Sequence, residues 1–258
     1  MKINFIHCGY STKAKENYIR CVDLYGQFSE EEADYIAILG GDGFLLETVY
    51  KLIKKRKQLP PIIGVNCGTL GFLLNEVEPE NIINLIFKAN TVKLRPIVAD
   101  VKTVDGEENS YFGYNEVALN RSSKQTANIG LTITDNKELI VKTNVRGDGI
   151  IFSTQAGSTA YNRSAGGPTV PLFSNVIPLT PICPLPPRWG GTLISNSYTV
   201  NFDIEDHEKR PVDCIIDGRE VKNIISASCR QSDEFSVNLL YSAEECLSRK
   251  ILKEQFNV

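Results

Sequence analysis

The sequence predicts an α/β domain followed by an all-β domain, and three observations carry that prediction. Apolar runs alternate with helix-periodic segments over roughly the first 95 residues, as α/β layers do. Two of those runs end in glycine-rich turns, Gly40-Gly41-Asp42-Gly43 and Gly68-Thr69-Leu70-Gly71-Phe72. Beyond Arg95-Pro96 the helical period stops. Short strand-like runs take over, separated by turn dipeptides such as Asp105-Gly106 and Asp135-Asn136. The expected boundaries are 1–95 for a Rossmann-like first domain and 96–242 for a β-rich, sandwich-like second domain, with a tail at 243–258 returning to pack on the first.

Residues 2–8 read as a buried strand, and 12–25 read as a helix capped by Ser11. The apolar run 34–39 is the strand before the first glycine turn. From Phe44 onward, Leu45, Thr48, Val49, Leu52 and Ile53 recur at helical spacing. Residues 62–66 form a further strand that runs into the second glycine turn, and 79–88 form a helix with Pro79 in its first turn. In open α/β sheets ligands bind outside the carboxyl ends of strands, where both glycine turns fall. The second domain is expected to hold strands at 97–104, 110–120, 129–134, 138–146, 192–203, 211–217, 220–228 and 235–241.

Composition narrows the function class. Hydrophobic residues make up 42% and charged residues 23%, and the net charge is -3, as in ordinary soluble proteins and unlike nucleic-acid binders. The one basic run, Lys51 to Lys57, falls at a helix end, where cations complement the dipole. The 7 cysteines form no C-x-x-C pair and are odd in number, which fits reduced thiols and a cytoplasmic location. His7 and His207 have no partners at metal-ligand spacing, so no protein-held metal site and no Ser-His-Asp hydrolase are expected. No apolar run approaches the ~20 residues of a membrane span, and the N-terminal apolar stretch is too short for a signal peptide.

The first glycine turn carries the chemistry. Strand, glycine turn and helix place backbone N–H groups where a phosphate can sit. Asp42 stands where most phosphate loops have lysine. A carboxylate beside a phosphate holds a metal ion or takes a proton from an attacking hydroxyl, and the plainer alternative is a helix N-cap. Asn115-Glu116 sits between apolar neighbours. An amide beside a carboxylate can read an adenine edge and a ribose diol; the plainer alternative is a strand end in solvent. The segment from Arg146-Gly147-Asp148-Gly149 to Gly157-Ser158-Thr159-Ala160-Tyr161 and Ser164-Ala165-Gly166-Gly167-Pro168 is dense in small and hydroxyl residues. Such residues admit a flat ligand close to the backbone, and Tyr161 can stack on it.

Together these segments, in this order and over nearly the whole chain, resemble the NAD kinase family. The resemblance implies a nucleotide-binding first domain and a dinucleotide-binding second domain. It implies transfer of the ATP γ-phosphoryl group to the 2′-hydroxyl of the adenosine ribose of NAD, with Mg²⁺, giving NADP and ADP. Asp42 matches the proton acceptor, and Gly40 and Gly41 match the phosphate-donor loop. Gly43, Phe72, Asn115, Glu116, Arg146, Asp148, Thr159, Ala160, Tyr161 and Ser164 match substrate-binding positions. A homodimer or homotetramer whose sites draw on a neighbouring subunit is also implied, with no nucleic-acid or membrane partner.

The chain departs from the family pattern in places. Phe44 stands where a threonine is usual, Gln155-Ala156 replaces Pro-Thr, and Asp217-Gly218-Arg219 has arginine for glutamine. The alternatives are a lipid kinase of the diacylglycerol or sphingosine type, which shares the glycine–aspartate loop, and a catalytically silent dinucleotide sensor.

Overall fold

The computed structural model describes residues 1–55, 58–69, 71–186 and 189–242. In chain order the first elements are β1 (Ile3–His7), α1 (Thr12–Tyr25), β2 (Tyr35–Gly40), α2 (Asp42–Lys55) and β3 (Ile62–Asn66). A 3₁₀ turn (Pro79–Asn81), α3 (Ile82–Lys88) and β4 (Asn90–Leu94) follow. Then come β5 (Ile97–Thr103), β6 (Glu108–Gly113), β7 (Glu116–Arg121), β8 (Ala127–Asp135), β9 (Glu138–Gly147) and β10 (Gly149–Ser153). A 3₁₀ turn (Ala156–Thr159) and the short α4 (Tyr161–Ser164) precede β11 (Val176–Ile182), β12 (Thr192–Ser195) and β13 (Thr199–Ile204). The series ends with β14 (Val212–Ile216), β15 (Arg219–Val221), β16 (Ile224–Gln231) and β17 (Val237–Tyr241).

Two compact units result: Arg95–Glu234 is one, and Met1–Leu94 with the chain from Phe235 is the other. The first unit holds a five-stranded sheet in the order β1-β2-β3-β17-β4. Strands β1, β2, β3 and β17 run parallel, and β4 is antiparallel to β17. All five residues of β3 are buried, as a strand flanked on both sides in a parallel sheet requires. Helix α1 starts where Ser11 Oγ accepts the Ala14 N–H at 3.2 Å, and stops at Gly26, whose φ of 75° suits glycine. Asn75 pins the returning strand by donating from Nδ2 to the carbonyls of Gly64 and Leu240, both at 3.0 Å.

The second unit consists of two six-stranded antiparallel sheets, β12-β11-β10-β7-β14-β15 and β6-β5-β16-β13-β8-β9. Ile150 and Phe152 from one and Val200 and Phe202 from the other share one buried apolar core. That is the sandwich the sequence implies.

Several elements differ from expectation. The 110–120 run is two strands, broken at Tyr114-Asn115, and 192–203 and 220–228 are likewise two each. Strands β4 and β11 are additional. The strand at 237–241, expected in the second domain, hydrogen-bonds between β3 and β4 in the first unit's sheet, because its apolar residues complete that sheet's buried centre. The helical tail expected after residue 242 lies outside the described residues. Among the described residues no helix is long and apolar enough to cross a membrane. Cys8, Cys21, Cys67, Cys183, Cys214 and Cys229 are free, and burial pushes the Cys21 and Cys214 thiols up to about 12, which makes them poor nucleophiles.

Candidate active site

In the first unit, the two glycine turns sit at the carboxyl ends of neighbouring parallel strands, β2 and β3. Asp42 is the first residue of α2 rather than its N-cap, a position taken by Gly41, whose carbonyl accepts the Leu45 N–H at 3.0 Å. The Asp42 carboxylate crosses to the second turn. Its Oδ2 accepts the Phe72 N–H at 2.8 Å, and its Oδ1 accepts the Leu73 N–H at 3.0 Å. Asn66 shapes the same turn from below, its Oδ1 accepting the Gly68 N–H at 2.9 Å and its Nδ2 donating to Glu76 at 2.5 Å. The structure therefore brings Asp42 and Phe72 together.

None of Gly40, Gly41 and Gly43 has a positive φ. Space, not left-handed backbone, accounts for Gly41 and Gly43: a Cβ on either would meet nothing within 4 Å. Room is left there for phosphate oxygens at backbone N–H groups. The Phe44 ring packs back on Gly40, where a Cβ would meet its Cδ1 at 2.7 Å. The departure at residue 44 thus covers backbone.

In the second unit, Asn115-Glu116 fills the break between β6 and β7. Asp217 makes that break. Its Oδ2 accepts the Tyr114 N–H at 2.6 Å, and its Oδ1 accepts those of Asn115 and Glu116 at 2.9 and 3.2 Å. Asp217 and Gly218, with φ of 45° and 78°, form the tight turn of the β14–β15 hairpin. Arg219 braces that hairpin by donating to the carbonyls of Ile216 and Phe112. Burial, then the nearby Asp217 charge, raises the Glu116 carboxyl to about 8, against one hydrogen bond from the Tyr161 N–H that lowers it. Glu116 Oε2 is buried with no hydrogen-bond partner among the described residues. A buried acceptor in that state awaits a donor.

The run after β10 divides into bolts and outward-facing groups. Thr154 Oγ1 donates to the Tyr114 carbonyl at 2.6 Å, and the Thr154 N–H donates to the Asn115 carbonyl at 2.8 Å. Gly157 lies against Asn115, where a Cβ would run into the Asn115 carbonyl. Ser158 is fully buried and links the Gln155 and Val170 backbones through Oγ. Asn162 is also buried, tying Ser158 and Pro168 to Thr180. Thr159 and Ala160 are half-buried, and Tyr161 and Ser164 are exposed. These four are the residues matched to substrate contacts, and the Tyr161 backbone meets Glu116.

Arg146 and Asp148 are held elsewhere. Asp148 pairs with Arg121 at 2.6 Å, and Arg146 Nε donates to Asn128 at 3.4 Å. In the β7–β10 register Ser153 faces Glu116 while Gly149 faces Asn120. Asp148 therefore lies at the far end of β7 from Glu116, about 17 Å along the strand. Within one chain the structure does not bring this pair to Asn115-Glu116.

Two family models match the chain: the ATP-NAD kinase N-terminal domain over residues 5–91 and the ATP-NAD kinase C-terminal domain over 114–230. An NAD kinase of Mesorhizobium japonicum is 42% identical over 233 residues, 90% of this chain and 88% of the relative. One of Zymomonas mobilis is 36% identical over 236 residues, 91% and 90% respectively. The chain belongs to the NAD kinase family. The fold agrees. Yeast NADH kinase complexed with NADH superposes with a TM-score of 0.83 at 19% identity, covering 98% of this chain and 86% of that one. An NAD kinase from Archaeoglobus fulgidus in complex with ATP superposes with 0.74 at 23% identity over the whole of both chains. Neither the lipid-kinase nor the sensor alternative draws support from these matches.

Sequence reasoning did not assign Asp217, Asn66 or Arg121. The Asp-Gly pair at 217–218 is a hairpin signal, but nothing local reveals that its carboxylate reaches a segment 101 to 103 residues away.

Proposed function

We propose that this NAD kinase family member transfers the ATP γ-phosphoryl group to the 2′-hydroxyl of the adenosine ribose of NAD, with Asp42 as proton acceptor. The observation that carries the acceptor side is Glu116, whose buried Oε2 lacks a donor beside an outward face of Thr159, Ala160, Tyr161 and Ser164. A ribose diol would supply donors to that oxygen, and Asn115 would read the adenine edge.

The Asp42 carboxylate accepts one N–H from the second glycine turn on each oxygen, which holds it at the carboxyl end of the strand where the donor phosphates are expected. A loose transition state at phosphorus asks mainly that the hydroxyl be oriented and its proton accepted late. The proton passes from the 2′-oxygen to Asp42 as that oxygen bonds to phosphorus, and ADP leaves. The open N–H face at Gly41 and Gly43, with Gly40, suits the donor phosphates.

Among the described residues no group of three or more His, Cys, Asp or Glu could hold a metal. Mg²⁺ arriving on the triphosphate would need only one or two carboxylates from the protein. Asp42 would meet it, and the ion would supply charge neutralisation of the phosphates.

A homodimer or homotetramer is supported by the separation of Arg146 and Asp148 from Glu116 within one chain, which a second copy would offset. Light scattering checks the oligomeric state. The activity is tested by incubating the chain with NAD, ATP and Mg²⁺ and reading NADP and ADP by mass spectrometry. Absence of NADP would overturn the reading.

A further inference from the structure

Gln155 opens the run that carries the outward-facing groups, and its side chain is held on three sides. Its Nε2 donates to the Ser174 carbonyl at 2.8 Å. Its Oε1 accepts from Gln231 Nε2 at 2.8 Å, and its Nε2 returns a longer bond of 3.5 Å to Gln231 Oε1. Gln231, the last residue of β16, also donates to the Arg95 carbonyl at 3.2 Å, and the adjacent Ser232 N–H donates to the Pro96 carbonyl at 2.8 Å. The two amides are 9% and 7% exposed, so each bond is made away from competing water. The Gln155 carbonyl in turn accepts Ser158 Oγ at 2.7 Å. Restraint thus passes from a β-sheet end through two side chains into the 3₁₀ turn at Ala156–Thr159.

Burying two amides is costly unless they are paired. Gln155 has φ of -60°, within the range that a proline ring enforces.

We propose that the buried Gln155–Gln231 amide pair is the positioning element of the Ala156–Ser164 run, fixing non-covalently a backbone geometry that a proline at 155 would fix covalently. This rests on the reading that Thr159, Ala160, Tyr161 and Ser164 contact the dinucleotide. Gln155 touches no substrate; it acts through the turn that follows it.

The test compares Gln155→Ala, Gln231→Leu and Gln155→Pro in the full chain, with steady-state kinetics and hydrogen exchange read by mass spectrometry. Losing the pair is expected to raise the NAD KM by about 3- to 10-fold in Gln155→Ala and in Gln231→Leu, with the ATP KM and kcat within about twofold. Exchange should accelerate by roughly tenfold over residues 154–165 only. Gln155→Pro should restore both readouts to within about twofold of the parent. The proposal is overturned if Gln155→Ala and Gln231→Leu leave the NAD KM and the local exchange unchanged. It is equally overturned if both KM values rise together with faster exchange across the whole unit, or if Gln155→Pro is no better than Gln155→Ala. If the parent makes no NADP, the functional reading has failed instead. Local exchange and its reversal by proline then decide the amide pair without turnover.

Discussion

The glycine turn of the first unit and the β14–β15 hairpin of the second each use one aspartate to hold a distant backbone segment, and they use it differently. Asp42 accepts one N–H on each oxygen and remains half-buried at the first turn of a helix. Asp217 accepts three N–H groups within a hairpin, and burial raises its carboxyl above the ordinary range despite those donors. Asp42 ties the start of a helix to a neighbouring turn at strand ends, whereas Asp217 holds a strand break from within a hairpin; the proposed function puts chemistry at the first and a platform at the second.

The sharpest way to break this contrast is Asp42→Asn. It should lower kcat by about 10²–10⁴-fold while NAD affinity, read by calorimetry, changes little. An unchanged kcat would move Asp42 into the same class as Asp217. Asp217→Ala should do the reverse. It strands three buried N–H groups, so unfolding in urea should show a loss of about 3 kcal/mol, with NAD binding weakened as a consequence. A variant with full stability and lost turnover would contradict the platform role.

Glu116→Gln refines the comparison with a smaller effect, a rise of about tenfold in the NAD KM at constant ATP KM. Its pH behaviour is more telling. The Glu116 carboxyl is raised to about 8, so the folded protein binds this proton more tightly than the unfolded chain does. The stability it contributes is full below the ordinary carboxylate pKa and is lost as pH rises through about 8. Thermal unfolding of the unliganded protein should therefore fall across that window, and Glu116→Gln should flatten the fall. Because diol donors favour the ionised form, NAD affinity should rise over the same window. A parent and a variant with superimposable pH profiles would remove Glu116 from the ribose site.

Much of the architecture could be read from periodicity because the first unit's elements each carry a local signal: Ser11 before α1, apolar β1 to β3, Pro79 before α3. What escaped was non-local. Strand β11 contains Pro178 and Pro181, which argue against a strand. Each proline sits where β11 has a neighbour on one side only, since β12 pairs with residues 176–179 and β10 with 179–182. In the site, the residue types of Gly157 and Glu116 were legible, but their juxtaposition was not. It depends on Thr154 and Asp217 reaching Tyr114-Asn115 from 40 and 103 residues away. The sequence shows a glutamine where a proline is usual at 155, but not its partner: the amide bond to Gln231 comes from a residue 76 positions away.

The return of Val237–Tyr241 to the centre of the first sheet bears on biosynthesis. Strand β4 meets its neighbour only when β17 arrives, about 143 residues later, where Leu94 pairs with Val237. The unit that contains β1 to β4 is consequently completed only after the contiguous β sandwich, which can close first. A nascent chain arrested before residue 237 would expose the open flank of β3, and so would be a natural client for chaperones.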